Sequence, residues 1–145
     1  MSKVYCSAVV PAPVHDVWAL VRDFSGFAAW HPMAADIRIE GDVSGDMVGC
    51  VRTIPLPDGS SQREQLLALS DLDHSWAFTV IEGPVPLQNY LSELRLRRVT
   101  ADETTFVEWV GQFDVADVDE ADVCNAVMAV YHEGLQALRT RFIER

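Results

Sequence analysis

The chain has 145 residues, 49% of apolar types and 23% charged, with a formal net charge of −11. That size and balance predict a single domain over residues 1–145 with one core that needs no staples. The acidic excess repels a phosphate backbone, which argues against nucleic acid as a partner. Cys6, Cys50 and Cys124 are an odd number without close spacing. They read as small core residues in a reducing compartment rather than as a disulfide framework. The N-terminal apolar stretch is cut by Pro11 and Pro13 before it reaches the length of a secretory leader. No uninterrupted apolar run approaches the roughly 18 residues of a membrane span. A cytoplasmic protein without membrane contact is the expectation.

In chain order, Val4 to Val10 reads as a strand that stops at Pro11-Ala12-Pro13. Val14, Val17, Trp18 and Val21 then recur at helical spacing, with Phe24 continuing the face. Ser25-Gly26 is expected to interrupt this helix, Phe27 to Trp30 to add one turn, and Pro32 to end it. From Ile37 the period changes to strands. Gly41, Gly45 and Gly49 bracket a polar loop, and Val51 to Leu56 leads into Pro57-Asp58-Gly59, a three-residue hairpin loop with a left-handed glycine. Gln62 to Leu69, Trp76 to Ile81, Tyr90 to Val99 and Thr105 to Phe113 follow as strands. Cys124, Val127, Met128, Tyr131, Leu135, Leu138 and Phe142 then share one face of a long helix. Asp119 and Asp122 open that helix, and Arg139, Arg141 and Arg145 close it, matching its dipole. The order implies an α+β fold, a curved antiparallel sheet wrapped around one long C-terminal helix, with two short helices after the first strand. One helix cannot fill the whole concave face, so a cavity is expected.

Counting back from the hairpin loop pairs Leu56 with Ser60 and sets Arg52 directly across from Glu64. Cys50, Arg52, Ile54 and Leu56 share the more apolar face of their strand, although parity alone leaves the pair on either side of the sheet. Tyr90, Ser92, Leu94 and Leu96 form a clean inward set against Glu93, Arg95 and Arg97. Tyr90 is then either a ligand-orienting hydroxyl or a core tyrosine satisfied by backbone. Trp76, Phe78 and Val80 give the neighbouring strand an aromatic inward face. Beyond it, a four-residue loop at Ala101 to Thr104 turns Trp109 and Phe113 inward, whereas a three-residue loop turns Glu108 inward. Trp109 inside buries the larger apolar surface and is preferred.

His15, His31, His74 and His132 show no metal-ligand spacing with one another or with cysteine, so no metal is expected. Nor is there a glycine-rich phosphate loop, a nucleophile elbow or a dinucleotide fingerprint, and no cofactor is expected. Asp114, Asp117, Asp119, Glu120 and Asp122 read as a solvated helix entrance.

Val14-His15-Asp16-Val17-Trp18, Trp30-His31-Pro32, Gly49-Cys50-Val51-Arg52, Arg63-Glu64, Gly83 to Tyr90 and Val107-Glu108-Trp109 follow one another along nearly the whole chain. In this succession the sequence resembles the START-like (SRPBCC) superfamily, and within it the polyketide cyclase/dehydrase-like group. The same segments are similar to plant abscisic-acid receptors and to the lachrymatory-factor synthase of onion. The resemblance implies a helix-grip fold around a hydrophobic cavity closed by loops. It also implies that Arg52 and Glu64 line the cavity and that Leu87, in Gly83-Pro84-Val85-Pro86-Leu87, is the plug of the closing loop. By the same resemblance, His31 stands where the receptors carry a ligand-contacting lysine. Two departures argue against a hormone receptor: Val85-Pro86 replaces a polar pair that engages the receptors' partner, and their other gating loop is here reduced to Pro57-Asp58-Gly59.

The expected ligand is a small hydrophobic oxygenated molecule. Arg52, Glu64 and Tyr90 are the candidate catalytic residues for cyclase, dehydratase or isomerase chemistry: Arg52 to stabilise enolate-like charge, Glu64 to move the proton, Tyr90 to orient the substrate. Trp30, His31, Ile54, Leu66, Phe78, Val80, Leu87, Ser92, Trp109, Val127 and Tyr131 are the candidate ligand contacts. A non-catalytic carrier or sensor, and an interaction protein with an incidental cavity, are the alternatives. Exposed strand edges allow a homodimer.

Overall fold

The computed structural model describes residues 1–116 and 119–144. Asp117 in the expected acidic entrance and Arg145 in the expected basic closure lie outside the described residues. Strand β1 (Ser2–Val10) ends at Pro11, and α1 (Val14–Val21) buries Val17, Trp18 and Val21. A 3-10 helix, Phe24–Ala29, then runs through Ser25-Gly26. The break between the helices therefore lies at Arg22-Asp23, three residues earlier than expected, because the Asp23 side chain accepts from the Ser25 N–H at 3.0 Å and caps the new helix.

Strands β2 (Arg38–Ile39), β3 (Val51–Pro55), β4 (Ser61–Ser70), β5 (Ser75–Glu82), β6 (Leu87–Val99) and β7 (Thr104–Val115) complete one antiparallel seven-stranded sheet in the order β1-β7-β6-β5-β4-β3-β2. The fold is the helix-grip arrangement, with α2 (Glu120–Ile143) packed on β1 and β7. Asp119 caps α2 by accepting from the Ala121 N–H.

Turn chemistry fixes the register that places the site. Leu56 and Ser60 are bridged by an N–H···O bond of 2.8 Å around Pro57-Asp58-Gly59, with Gly59 at φ +88°, and Arg52 pairs with Glu64. Thr100 to Glu103 connect β6 to β7. This four-residue loop begins one residue earlier than expected but has the same parity, so Leu94 pairs with Trp109 and both are fully buried. Glu108 faces outward, where it meets Tyr5 and Arg97.

On α2 the inward ridge runs through Val123, Val127, Tyr131, Leu135, Leu138 and Phe142. Cys124 is only half-buried and Met128 is exposed, contrary to the expected face. The ridge follows an i, i+4 line from Val123, which leaves both residues on the flank toward β1, where the Cys6 thiol sits 3.0 Å from the Met128 sulfur. Of the three cysteines only Cys50 is buried; Cys6 and Cys124 are half-buried.

Candidate functional site

Between α2 and the concave face of the sheet lies a cavity of about 130 Å³. From the expected set it is lined by Ile54, Glu64, Phe78, Leu87, Tyr90, Trp109, Val127 and Tyr131. Phe27, Met33, Leu56, Gln62, Val85, Ala126 and Val130 complete the wall and were not among the expected contacts. Gln62 and Leu56 had a usable signal, because each lies two residues along the same strand face from a wall residue, Glu64 and Ile54. Met33 follows a proline in a loop and carried none.

Glu64 is 4% exposed, and both of its oxygens are engaged. Oε1 accepts from Arg52 Nε at 2.8 Å and lies 2.6 Å from Arg52 Nη2, while Oε2 accepts from the Gln62 amide at 2.6 Å. Bulges between Arg63 and Glu64 on β4, and around Asn89 on β6, adjust the strands on either side of this corner.

Arg52 does not reach the cavity wall. Its guanidinium sits behind Glu64, donates to the Phe24 carbonyl at 2.8 Å, and lies 3.8, 4.5 and 4.9 Å from the ring centres of Phe24, Phe27 and Phe78. The reason is length: a side chain rooted on β3 can extend under the aromatic 3-10 helix, where three ring faces and a carbonyl receive its charge. Burial pulls the guanidinium below its ordinary pKa, and the Glu64 carboxylate opposes that pull. Arg52 is therefore placed to hold Glu64 from behind the wall.

A second polar line crosses the wall. Trp109 Nε1 donates to Ser92 Oγ at 2.8 Å, Ser92 Oγ lies 2.8 Å from Tyr131 Oη, and Tyr131 Oη lies 2.6 Å from Tyr90 Oη. The Trp109 and Tyr131 rings stack at 4.3 Å. Burial pushes both phenols well above their ordinary pKa, so they are neutral hydroxyls at physiological pH. Ser92 itself is fully buried behind the wall.

Trp30, His31, Leu66 and Val80 also lie off the wall. Trp30 packs against Phe27, His31 and Trp109. Leu66 is core, and Val80 is half-buried opposite Glu64 at the bulge. His31 is a tie between the loop after the 3-10 helix and α2: Nε2 lies 2.7 Å from the Val130 carbonyl, and Nδ1 accepts from the Met33 N–H at 3.1 Å. Both ring nitrogens are thus used by backbone groups. Burial pulls its pKa below the ordinary value, against the opposing pull of the Val130 carbonyl. Among the described residues no group of three or more His, Cys, Asp or Glu is placed to hold a metal, and no helix is long and apolar enough to cross a membrane.

The family model described as "Polyketide cyclase / dehydrase and lipid transport" matches residues 1–142. The chain belongs to this family. Among curated proteins it is similar to the abscisic acid receptors PYL7 and PYL10 of Arabidopsis thaliana, each 29% identical over 136 residues and 89% of this chain. The match spans 63% of PYL7, less than two-thirds of its length, and 73% of PYL10. Among solved structures it is similar to XoxI of Bacillus cereus, with a TM-score of 0.89 and 26% identity over 99% of this chain and 96% of that one. A Nitrosospira multiformis protein gives a TM-score of 0.86 and 33% identity over 97% and 96% of the two chains. In the cyclase/dehydrase family context, the cavity with its one carboxylate and its paired phenols is the feature that a functional reading has to explain.

Proposed function

We propose that the protein binds a small, mainly hydrophobic, oxygen-bearing molecule in this cavity and moves a proton on it, as cyclisation, dehydration and isomerisation each require. The observation that carries the reading is Glu64, an ion-paired carboxylate kept on an otherwise largely apolar wall. Burying such a group costs free energy that a purely structural wall avoids with a hydrocarbon. In this reading Glu64 Oε2, which has a lone pair beyond its bond to Gln62, takes a proton from carbon or oxygen of the ligand. Arg52 fixes the carboxylate's direction from behind, and Tyr90 meets the ligand oxygen on which charge develops. The volume limits the ligand to about the size of a single ring, since an engineered cavity of ~150 Å³ accommodates benzene.

Non-catalytic carriage is the second reading, favoured by the engagement of both Glu64 oxygens with protein donors. Two variants test occupancy. Leu87→Arg puts a charge at the cavity edge and Val127→Phe fills it, and each should weaken binding of an apolar fluorescent probe at least ~10-fold while the melting temperature stays within a few degrees. Native mass spectrometry of the purified protein supplies candidate ligands. On any ligand that is turned over, Glu64→Gln should lower the rate roughly 100-fold or more with probe binding retained. Unaltered turnover in Glu64→Gln would leave carriage as the function, and unaltered probe binding in both cavity variants would remove the cavity from either reading.

A further inference from the structure

We propose that the Trp109, Ser92, Tyr131 and Tyr90 side chains form a one-way donor chain that fixes the Tyr90 hydroxyl as a hydrogen-bond donor toward the cavity, selecting ligands that carry a carbonyl oxygen. The inference rests on the cavity reading above and specifies the ligand class.

The argument is a count of hydrogens. The four groups carry one polar hydrogen each and are joined by three contacts, so one hydrogen is left without a partner inside the chain. It cannot be the indole hydrogen, because Trp109 Nε1 is donor-only and already points at Ser92 Oγ. If it were the Ser92 hydrogen, an unpaired hydroxyl would sit fully buried behind the wall, a penalty of the kind native interiors avoid. Ser92 therefore donates to Tyr131, and the surplus hydrogen falls on one of the two phenols that line the cavity.

Gly111 decides between the phenols. A Cβ at that position would come within 2.4 Å of Tyr131 Oη, so the Tyr131 hydroxyl sits over the bare Cα of Gly111, and its two hydrogen-bond partners are Ser92 and Tyr90; with Ser92 donating to it, its own hydrogen is directed to Tyr90. Tyr131 donates to Tyr90, and Tyr90 is the open end. Tyr90 Oη makes its hydrogen bond to Tyr131 and none to the wall carboxylate Glu64, whose oxygens take Arg52 and Gln62. The unused hydrogen is thus offered to the cavity, where a carbonyl oxygen satisfies it and a hydrocarbon does not.

The test uses acetophenone and α-methylstyrene, isosteric single-ring probes that differ by exchange of the carbonyl oxygen for a methylene. Their affinities are measured by displacement of the fluorescent probe from wild type, Tyr90→Phe and Ser92→Ala. Taking the ratio of the two affinities within each protein, wild type should favour acetophenone about tenfold more than Tyr90→Phe does, which is the worth of one buried hydrogen bond. Ser92→Ala, which frees the chain to reverse, should give an intermediate ratio. The carbonyl stretch of bound carbon-13-labelled acetophenone should lie at lower frequency in wild type than in Tyr90→Phe. Equal ratios with both probes bound would overturn the donor assignment while leaving the cavity reading intact. Failure of both probes to bind any of the proteins would overturn the cavity reading and this proposal with it.

Discussion

Replacing Arg52 with methionine should destabilise the protein severely, and the structure says by how much. The variant keeps the aliphatic bulk of the side chain between Phe24, Phe27 and Phe78 but removes the counter-charge of Glu64, which is 4% exposed, and the donor to the Phe24 carbonyl. Breaking one side of a dry ion pair costs about 3–5 kcal/mol, because a bare charge is left behind. At about 2.1 cal/mol/K per residue, unfolding of a 145-residue chain has an entropy near 0.3 kcal/mol/K, so the melting temperature should fall by roughly 10–16 °C. The double variant Arg52→Met/Glu64→Leu removes both charges and should recover most of that loss, since a matched apolar pair is often as stable as the buried ion pair it replaces. Circular-dichroism melts of the two variants beside wild type provide the assay. A single variant melting within about 3 °C of wild type would mean that water reaches the pair. A double variant no better than the single one would locate the cost in the packing around Phe24 rather than in charge.

His31 gives a pH prediction. Its folded pKa is pulled down, first by burial, so the unfolded chain binds more protons in the window below its ordinary value near 6.5. Stability should therefore be lost as pH falls from about 7 to 5.5, because protonation also takes the Nδ1 lone pair from the Met33 N–H; urea midpoints of His31→Gln should be flatter over the same range. Gly134→Ala sets two effects in opposition. Alanine gains about 1 kcal/mol in helix propensity, but its Cβ would stand 2.7 Å from His31 Cδ2 and 3.0 Å from Trp109 Cζ3, and crowding a packed core costs about 1–3 kcal/mol. Crowding should win, lowering the melting temperature by up to several degrees, and a rise would show that the His31 loop moves freely off α2.

The alignment of Arg52 with Glu64 was legible in the sequence because a three-residue turn leaves strand pairing no freedom: once Leu56 meets Ser60, every earlier pair follows. The face they occupy was not legible, since alternation has two solutions and only the sheet's concave packing selects one. Trp109 was legible as the larger apolar surface competing with Glu108 for the inside. What the sequence could not yield was the direction of long side chains. Whether Arg52 extends toward the cavity or beneath the 3-10 helix depends on where Phe24, Phe27 and Phe78 meet in space, and these residues come from segments far apart in the chain. The same holds for His31, whose two backbone partners, Met33 and Val130, lie two residues away and on the last helix. Periodicity along α2 identified Val127 and Tyr131 but not Ala126 and Val130, which flank that ridge and reach the wall only because the sheet curves away from it.

Two polar groups at the cavity are each held in part from behind its wall, by Arg52 and by Ser92. Arg52 fixes Glu64 without touching the enclosed space, and Ser92 with Trp109 fixes Tyr131 and, through it, Tyr90. Such support separates two kinds of control. Shape is set by Met33, Leu56, Val85 and Leu87, half-buried apolar residues on loops or strand ends, where a change of one methylene shifts affinity by only about 1–3 kcal/mol. Orientation of the proton-handling groups is set within β3, β4, β6, β7 and α2, where a displacement breaks a buried hydrogen bond and a stacked ring pair together. Ligand size can therefore be altered at the cavity edge without disturbing Glu64 or Tyr90, whereas altering Arg52 acts on the geometry of Glu64, and altering Ser92 or Gly111 on that of Tyr131 and Tyr90, while leaving the apolar volume nearly as it is. A library confined to Met33, Leu56, Val85 and Leu87 should accordingly change which single-ring compounds bind while the carbonyl preference conferred by Tyr90 persists.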